Sequence, residues 1–196
     1  MKTMDSSKQG REENDTTRVV VSYSLTGNND ALAASIASAF QAEHIRITEA
    51  RPRTNGTIAL DMLFNRTPKV NTEVDSVKDS DFVIFVGPVW MGHVASPLRA
   101  CFKRLKDRLG RYAFVSISGG ADGPNPKLAD ELKKRVGKEP VALIDLHIAD
   151  LLPSDQKPTR EDTSSYQLTE KDVRALTDTI GRTLQSTLEA LELEGN

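Results

Sequence analysis

Residues 18–23, Arg-Val-Val-Val-Ser-Tyr, form a short apolar, β-branched run that stops at a Gly/Asn cluster, the pattern of a buried strand. Leu32, Ile36 and Phe40 recur at helical spacing among alanines and predict an amphipathic helix over 30–42. A second strand is expected over 45–48. Residues 51–80 carry less pattern, with a short helix expected near 58–64 before Pro68 and polar residues. Residues 81–87 are the strongest strand, continuously apolar as a central parallel strand should be. Ser96-Pro97 opens a helix to about Leu109, with serine expected at the cap and proline at the first helical position. A fourth strand over 112–118 ends at Gly119-Gly120, Asn125-Pro126 opens a helix to about Val136, and a fifth strand spans 141–147. Residues 152–168 read as a polar loop. Thr169-Glu-Lys-Asp172 is a capping-box pattern, and the helix behind it, to about Leu193, carries Val173, Leu176, Ile180, Leu184, Leu188 and Leu191 on one stripe.

Strands alternate with helices throughout, without internal repeat. That alternation predicts one α/β domain over 18–196, an open parallel sheet with helices on both faces. In such sheets ligands sit beyond the carboxyl ends of the strands. The loops that matter are therefore 22–29, 87–96 and 118–125.

Composition narrows the class of function. The chain has 196 residues, 38% hydrophobic and 28% charged, with a formal net charge of −2, which suits a water-soluble globular chain and favours neither nucleic acid nor an anionic membrane. Its single cysteine, Cys101, cannot form an internal disulfide and fits a reducing, cytoplasmic compartment. No apolar run approaches a membrane span. Residues 1–17 include Ser6, Ser7, Lys8, Gln9 and Gly10, lack the apolar core of a secretory signal, and are expected to be a disordered polar tail.

The first loop reads Ser22-Tyr-Ser-Leu-Thr-Gly-Asn-Asn-Asp30. Backbone N–H groups at a helix N-terminus converge on one spot with partial positive charge. Ser24 and Thr26 add hydroxyls, Asn28 and Asn29 add amides, and Gly27 permits a tight turn and close approach. This is a phosphate cradle of neutral donors. It has neither the Gly-x-x-x-x-Gly-Lys of a Walker loop nor the three glycines of a dinucleotide loop.

Ser24-Leu25-Thr26-Gly27-Asn28-Asn29 resembles the FMN-phosphate signature of the flavodoxin family, Thr/Ser-x-Thr-Gly-x-Thr, with Asn29 in place of the last threonine. The second loop, Gly87-Pro88-Val89-Trp90-Met91-Gly92, is similar to the family's Gly-x-Pro-x-Trp-x-Gly form, which implies that Trp90, the only tryptophan, flanks the isoalloxazine ring. The third loop, with Ser118, Gly119 and Gly120, is implied to border the ring through backbone groups; it lacks the second aromatic that many flavodoxins stack there, leaving one ring face open. The resemblance covers about residues 18–147 and the last helix. It implies a flavodoxin-like three-layer sandwich with a five-stranded parallel sheet in the order 2-1-3-4-5.

Other sites fit poorly. Asp107 stands where the loop arginine of a low-molecular-weight phosphatase would follow Cys101, which reads instead as helix core. Ser22 and Gly87 stand where a receiver domain needs acidic residues. His44, His93 and His147 are too scattered for a metal site, and Asp145, His147 and Asp150, clustered near the fifth strand's end, read as a solvated loop, with the edge of the site as the alternative.

The resemblance implies an FMN-dependent redox protein. It would be a one-electron carrier or an NAD(P)H- or quinone-linked reductase, working with a redox partner protein or a small-molecule donor or acceptor. The near-neutral charge and open ring face lean toward the reductase. Related reductases often pair subunits beside the flavin, so the resemblance leaves room for a homodimer. The alternative is a binding protein that kept the fold and lost flavin, motivated by Asn29 and the long 152–168 segment.

Overall fold

The computed structural model describes residues 17–49, 56–58, 61, 67–68, 70–71, 77, 80–106, 108–153, 155 and 157–194. The expected tail lies outside these residues except for Thr17, whose N–H donates to Asp81 Oδ2 at 2.9 Å. The short helix expected near 58–64 lies largely outside them too.

The elements are β1 (Arg18–Ser22), α1 (Asn28–Ala39), β2 (Glu43–Arg46), β3 (Thr48–Glu49), β4 (Val70–Asn71), β5 (Phe82–Val86), β6 (Val89–Trp90), β7 (His93–Val94), α2 (Ser96–Leu105), β8 (Arg111–Ser118), α3 (Leu128–Val136), β9 (Ala142–His147), α4 (Arg160–Ser165) and α5 (Glu170–Glu194). A 3-10 turn, Ile148–Leu151, follows β9. Five strands form one sheet in the order β2-β1-β5-β8-β9, every pair parallel. Counted along the chain as main strands, that is the expected 2-1-3-4-5. Two small antiparallel pairs, β3–β4 and β6–β7, were not foreseen.

Period-2 alternation in β5, buried at all five positions, sends Val83 and Phe85 to one face and Phe82, Ile84 and Val86 to the other. On the first face Leu98 and Phe102 of α2 meet Leu132 and Val136 of α3. Phe85 sits edge-on to Phe102, with ring centroids 4.8 Å apart. On the second face Leu32 and Ile36 of α1 pack with Ile180 and Leu184 of α5, all four fully buried. Each such side chain contributes about 1.5–3 kcal/mol. Layers on both faces leave the carboxyl ends of β1, β5 and β8 as the place where loops can gather.

Element ends differ from expectation for local reasons. α1 begins at Asn28 because Gly27 takes a left-handed φ of 97° and turns the chain directly into the helix. Ala95, not Ser96, occupies the cap position of α2, and Ser96 Oγ instead donates to Asp61 Oδ2 at 3.2 Å. The 152–168 segment is not a plain loop. It contains α4, started by a capping box in which Thr159 Oγ1 accepts from Asp162 N–H and the Asp162 carboxylate accepts from Thr159 N–H. α5 starts in the same way at Thr169 and Asp172, as expected.

Candidate functional site

Two adjoining cavities open at the carboxyl end of the sheet. The smaller, about 160 Å³, is bounded by Thr26, Asn28 and Asn29 of the first loop, Trp90 of the second and Ser118 of the third. The larger, about 510 Å³, lies between Met91-Gly92, the 118–123 backbone and α4. Val89, Ser118, Gly119 and Thr163 line both, so the two form one bent cleft. Its size falls in the range of about 300–1,000 Å³ usual for cofactor sites.

At the narrow end, the start of α1 presents N–H groups that have no intrahelical partner. Gly27 N–H turns back to Ser24 Oγ at 3.0 Å, so Ser24 shapes the loop, and neither Ser24 nor Gly27 lines the cleft wall. The carboxamides of Asn28 and Asn29 point elsewhere than expected. Asn28 Nδ2 donates to Tyr166 O at 2.9 Å and its Oδ1 accepts from Leu168 N–H at 3.0 Å. Asn29 Nδ2 donates to Ile117 O at 2.8 Å and its Oδ1 accepts from Ile117 N–H at 3.1 Å. Both side chains thus hold protein backbone, and what these residues offer an anion is their main-chain N–H. Among the described residues no charged side chain lines this end, whose polar groups include the hydroxyls of Thr26, Ser118, Thr163 and Ser164.

Trp90 is half-buried in the β6–β7 hairpin, edge-on to Tyr23 at 5.8 Å and 83°. The hairpin turns through Met91 (φ 51°) and Gly92 (φ 77°), the paired positive angles of a two-residue primed turn. That turn leaves Met91 80% exposed at the mouth. Opposite, Gly120 has φ 76°, and a Cβ there would lie 2.3 Å from His147 Cβ; only glycine lets the third loop lie against β9. No aromatic side chain lines the larger cavity among the described residues.

Sequence reasoning missed the fourth wall. Thr163 and Ser164 of α4 and Ile148 of the 3-10 turn line the narrow end. Arg160 reaches across the wide end to Asp122, its Nη2 2.9 Å from Oδ2 and its Nε 3.0 Å from the same oxygen. The bonded carboxylate holds the Arg160 guanidinium above its ordinary range. Both partners are exposed, and such a pair is readily exchanged for another anion. The Thr-x-x-Asp pattern at 159–162 was the available signal.

Of Asp145, His147 and Asp150, expected as a solvated loop, Asp150 is exposed and the other two are largely covered. Asp145 accepts from Ser116 Oγ and Asn125 Nδ2, both at 3.0 Å, and lies 3.3 Å from His147 Nε2, which is buried and lacks hydrogen-bond geometry to any partner. It braces the third loop through Asn125, which also lines the wide cavity. Cys101 is fully buried, and burial pushes its thiol up to about 12, which leaves it no nucleophilic role. Among the described residues no cluster of metal-ligating side chains occurs, and no helix is long and apolar enough to cross a membrane.

No protein-family model matches the chain, and no curated protein matches it. Solved structures do. A flavoprotein in complex with FMN from Lactobacillus acidophilus is similar with a TM-score of 0.58 at 19% identity, over 66% of this chain and 93% of that one. A candidate flavoprotein from Bacteroides eggerthii has a TM-score of 0.58 at 18% identity, over 84% and 98%. Another from Bacteroides uniformis has 0.58 at 15%, over 75% and 94%. With the strand order, these likenesses show a flavodoxin-like α/β fold.

Proposed function

We propose that this chain binds FMN in the bent cleft and works as a redox flavoprotein. The observation that carries the reading is the joining of a recess at the start of α1, lined by the Thr26 hydroxyl and by Trp90 and without a charged side chain among the described residues, to a wider cavity beyond Gly119. A flavin phosphate would fit at the helix start, and the ring system would run from Trp90 toward the wider part. The FMN held by the similar Lactobacillus acidophilus flavoprotein supports the assignment.

The main-chain N–H groups of residues 28–30 and the Thr26 hydroxyl would hold the phosphate, helped by the positive end of the helix. Trp90, braced by Tyr23, would cover one side of the ring, and the backbone at Gly119 and Gly120 would border its edge. When bound, FMN supplies one- or two-electron transfer, and the protein tunes its potential. The wide end, which among the described residues has no aromatic cover and is crossed by the Arg160–Asp122 pair, leaves room for a second reactant. That favours an NAD(P)H- or quinone-linked reductase over a carrier that docks only other proteins. Steady-state oxidation of NADPH or NADH by the FMN-loaded protein with a soluble quinone tests this choice. Turnover supports the reductase; an FMN-loaded protein without turnover is a carrier.

A further inference from the structure

A second concavity lies away from the bent cleft, between α2 and α3, with a volume of about 620 Å³. Six cationic side chains line it (Arg99, Lys103, Lys106, Lys127, Lys134 and Arg135) against two carboxylates, Asp130 and Glu131, a formal excess of four positive charges in a chain whose net charge is −2. Glu131 is already engaged. Its carboxylate accepts from Arg135 Nε at 2.6 Å and from Val94 N–H at 3.2 Å, and lies 3.0 Å from His93 Nδ1 and 3.5 Å from Arg99 Nε. It therefore adds little repulsion toward an incoming anion.

The four lysines are different. All are exposed, and none has an ion-pair partner among the described residues. Lys103, in the last turn of α2, and Lys106, the residue that caps its end, stand about one turn apart. Lys127 and Lys134 are seven residues apart at the start and in the last turn of α3, about 10 Å along the axis. Beneath them the Arg99 guanidinium is buried, fixed by donation from Nε to Val94 O at 2.7 Å. Burial and the adjacent Arg135 pull it down to about 10, opposed by Glu131 and Asp61, and at neutral pH it still carries its charge. Positive charge spread over such a length exceeds what one phosphate group can cover.

We propose that the α2–α3 groove is a second ligand site, for a small anion carrying two or more linked phosphates, such as a free polyphosphate or the phosphate chain of a nucleotide. His93 at the groove pairs with Trp90 across the β6–β7 ladder, so this site and the bent cleft share one hairpin. The assignment does not depend on flavin binding.

Isothermal titration of the full chain, without added flavin, with inorganic tripolyphosphate and separately with ATP tests it. Tripolyphosphate binding that weakens about tenfold or more in the Lys103→Gln/Lys134→Gln double variant, and again on raising salt, is the expected result. Thr26→Ala should leave it unchanged. ATP matching tripolyphosphate would point to the phosphate chain as the recognised group, and tighter ATP binding to a nucleotide. The lysines are exposed, so an unchanged melting curve is expected to show that the variant is folded. No binding of either anion at about 1 mM, or binding lost in Thr26→Ala and kept in the double variant, overturns the proposal.

Discussion

Asn29 and Ile117 hold each other through two hydrogen bonds, amide to carbonyl at 2.8 Å and backbone N–H to amide oxygen at 3.1 Å. β5 pairs with β8 only as far as Val86 and Val115, and Gly87 N–H then closes on Val115 O before the chain leaves the sheet. β8 runs on to Ser118, so Ile117 has a backbone donor and acceptor facing a place where no strand remains. The Asn29 carboxamide, with one donor and one acceptor in the geometry of a peptide group, takes that place. It ties the start of α1 to the third loop's strand, fixing two walls of the cleft against each other.

Replacing Asn29 with leucine would leave both buried backbone groups of Ile117 unpartnered, and a loss of about 2–4 kcal/mol follows from the usual cost of such groups. Urea unfolding of the Asn29→Leu chain measures it. Threonine, the residue of the resembling signature, can replace at most one of the two bonds and is expected to fall between leucine and the wild type.

Gly120→Ala forces a Cβ into His147 at a positive φ. Strain and overpacking together predict a loss of about 2–4 kcal/mol. Gly123→Ala, also at positive φ (92°) but with nothing within 4 Å of the added atom, carries only the backbone penalty. Thermal melts of the two variants should therefore differ, Gly120→Ala falling further.

His44 Nε2 lies 2.8 Å from Ser22 Oγ and 3.8 Å from Asp30 Oδ1. Burial, reinforced by Arg46 and opposed by Asp30, lowers its pKa. The unfolded chain therefore binds a proton here more readily than the folded one. The stability this group contributes is full above its ordinary pKa of about 6.5 and is lost as pH falls below that value. Denaturation midpoints measured from pH 7.5 to about pH 5 should fall less steeply in His44→Asn than in the wild type.

Cys101, buried and with its thiol raised, should resist iodoacetamide at about pH 8 in the native protein and react fully once unfolded. Mass spectrometry of labelled samples with and without denaturant checks this.

The sheet was legible because β1, β5 and β8 are largely apolar runs each followed by a helical repeat, and β5 is apolar at every position, whereas β2, Glu-His-Ile-Arg, carries no such run. The three cleft loops followed from strand order. What stayed hidden depends on contacts far apart in sequence. Nothing local in Asn28-Asn29 tells that their amides serve backbone at 117 and at 166–168 rather than an anion. Ser96 looked like a cap because its reach to Asp61 is a tertiary contact. α4 is a six-residue helix, Arg-Glu-Asp-Thr-Ser-Ser, in which only Thr163 is buried, so no apolar periodicity marks it; its capping box was the one local trace.

The most direct test of the FMN assignment uses the chain's only tryptophan. Flavin-free protein is titrated with FMN while Trp90 emission and flavin absorbance are followed. One FMN per chain should bind with strong quenching of Trp90. The affinity should fall about ten- to a hundredfold in Thr26→Ala, the loss expected for one hydrogen bond to a charged phosphate. Emission unchanged with FMN at about 1 mM would contradict the account and leave a flavodoxin-like fold that serves some other ligand.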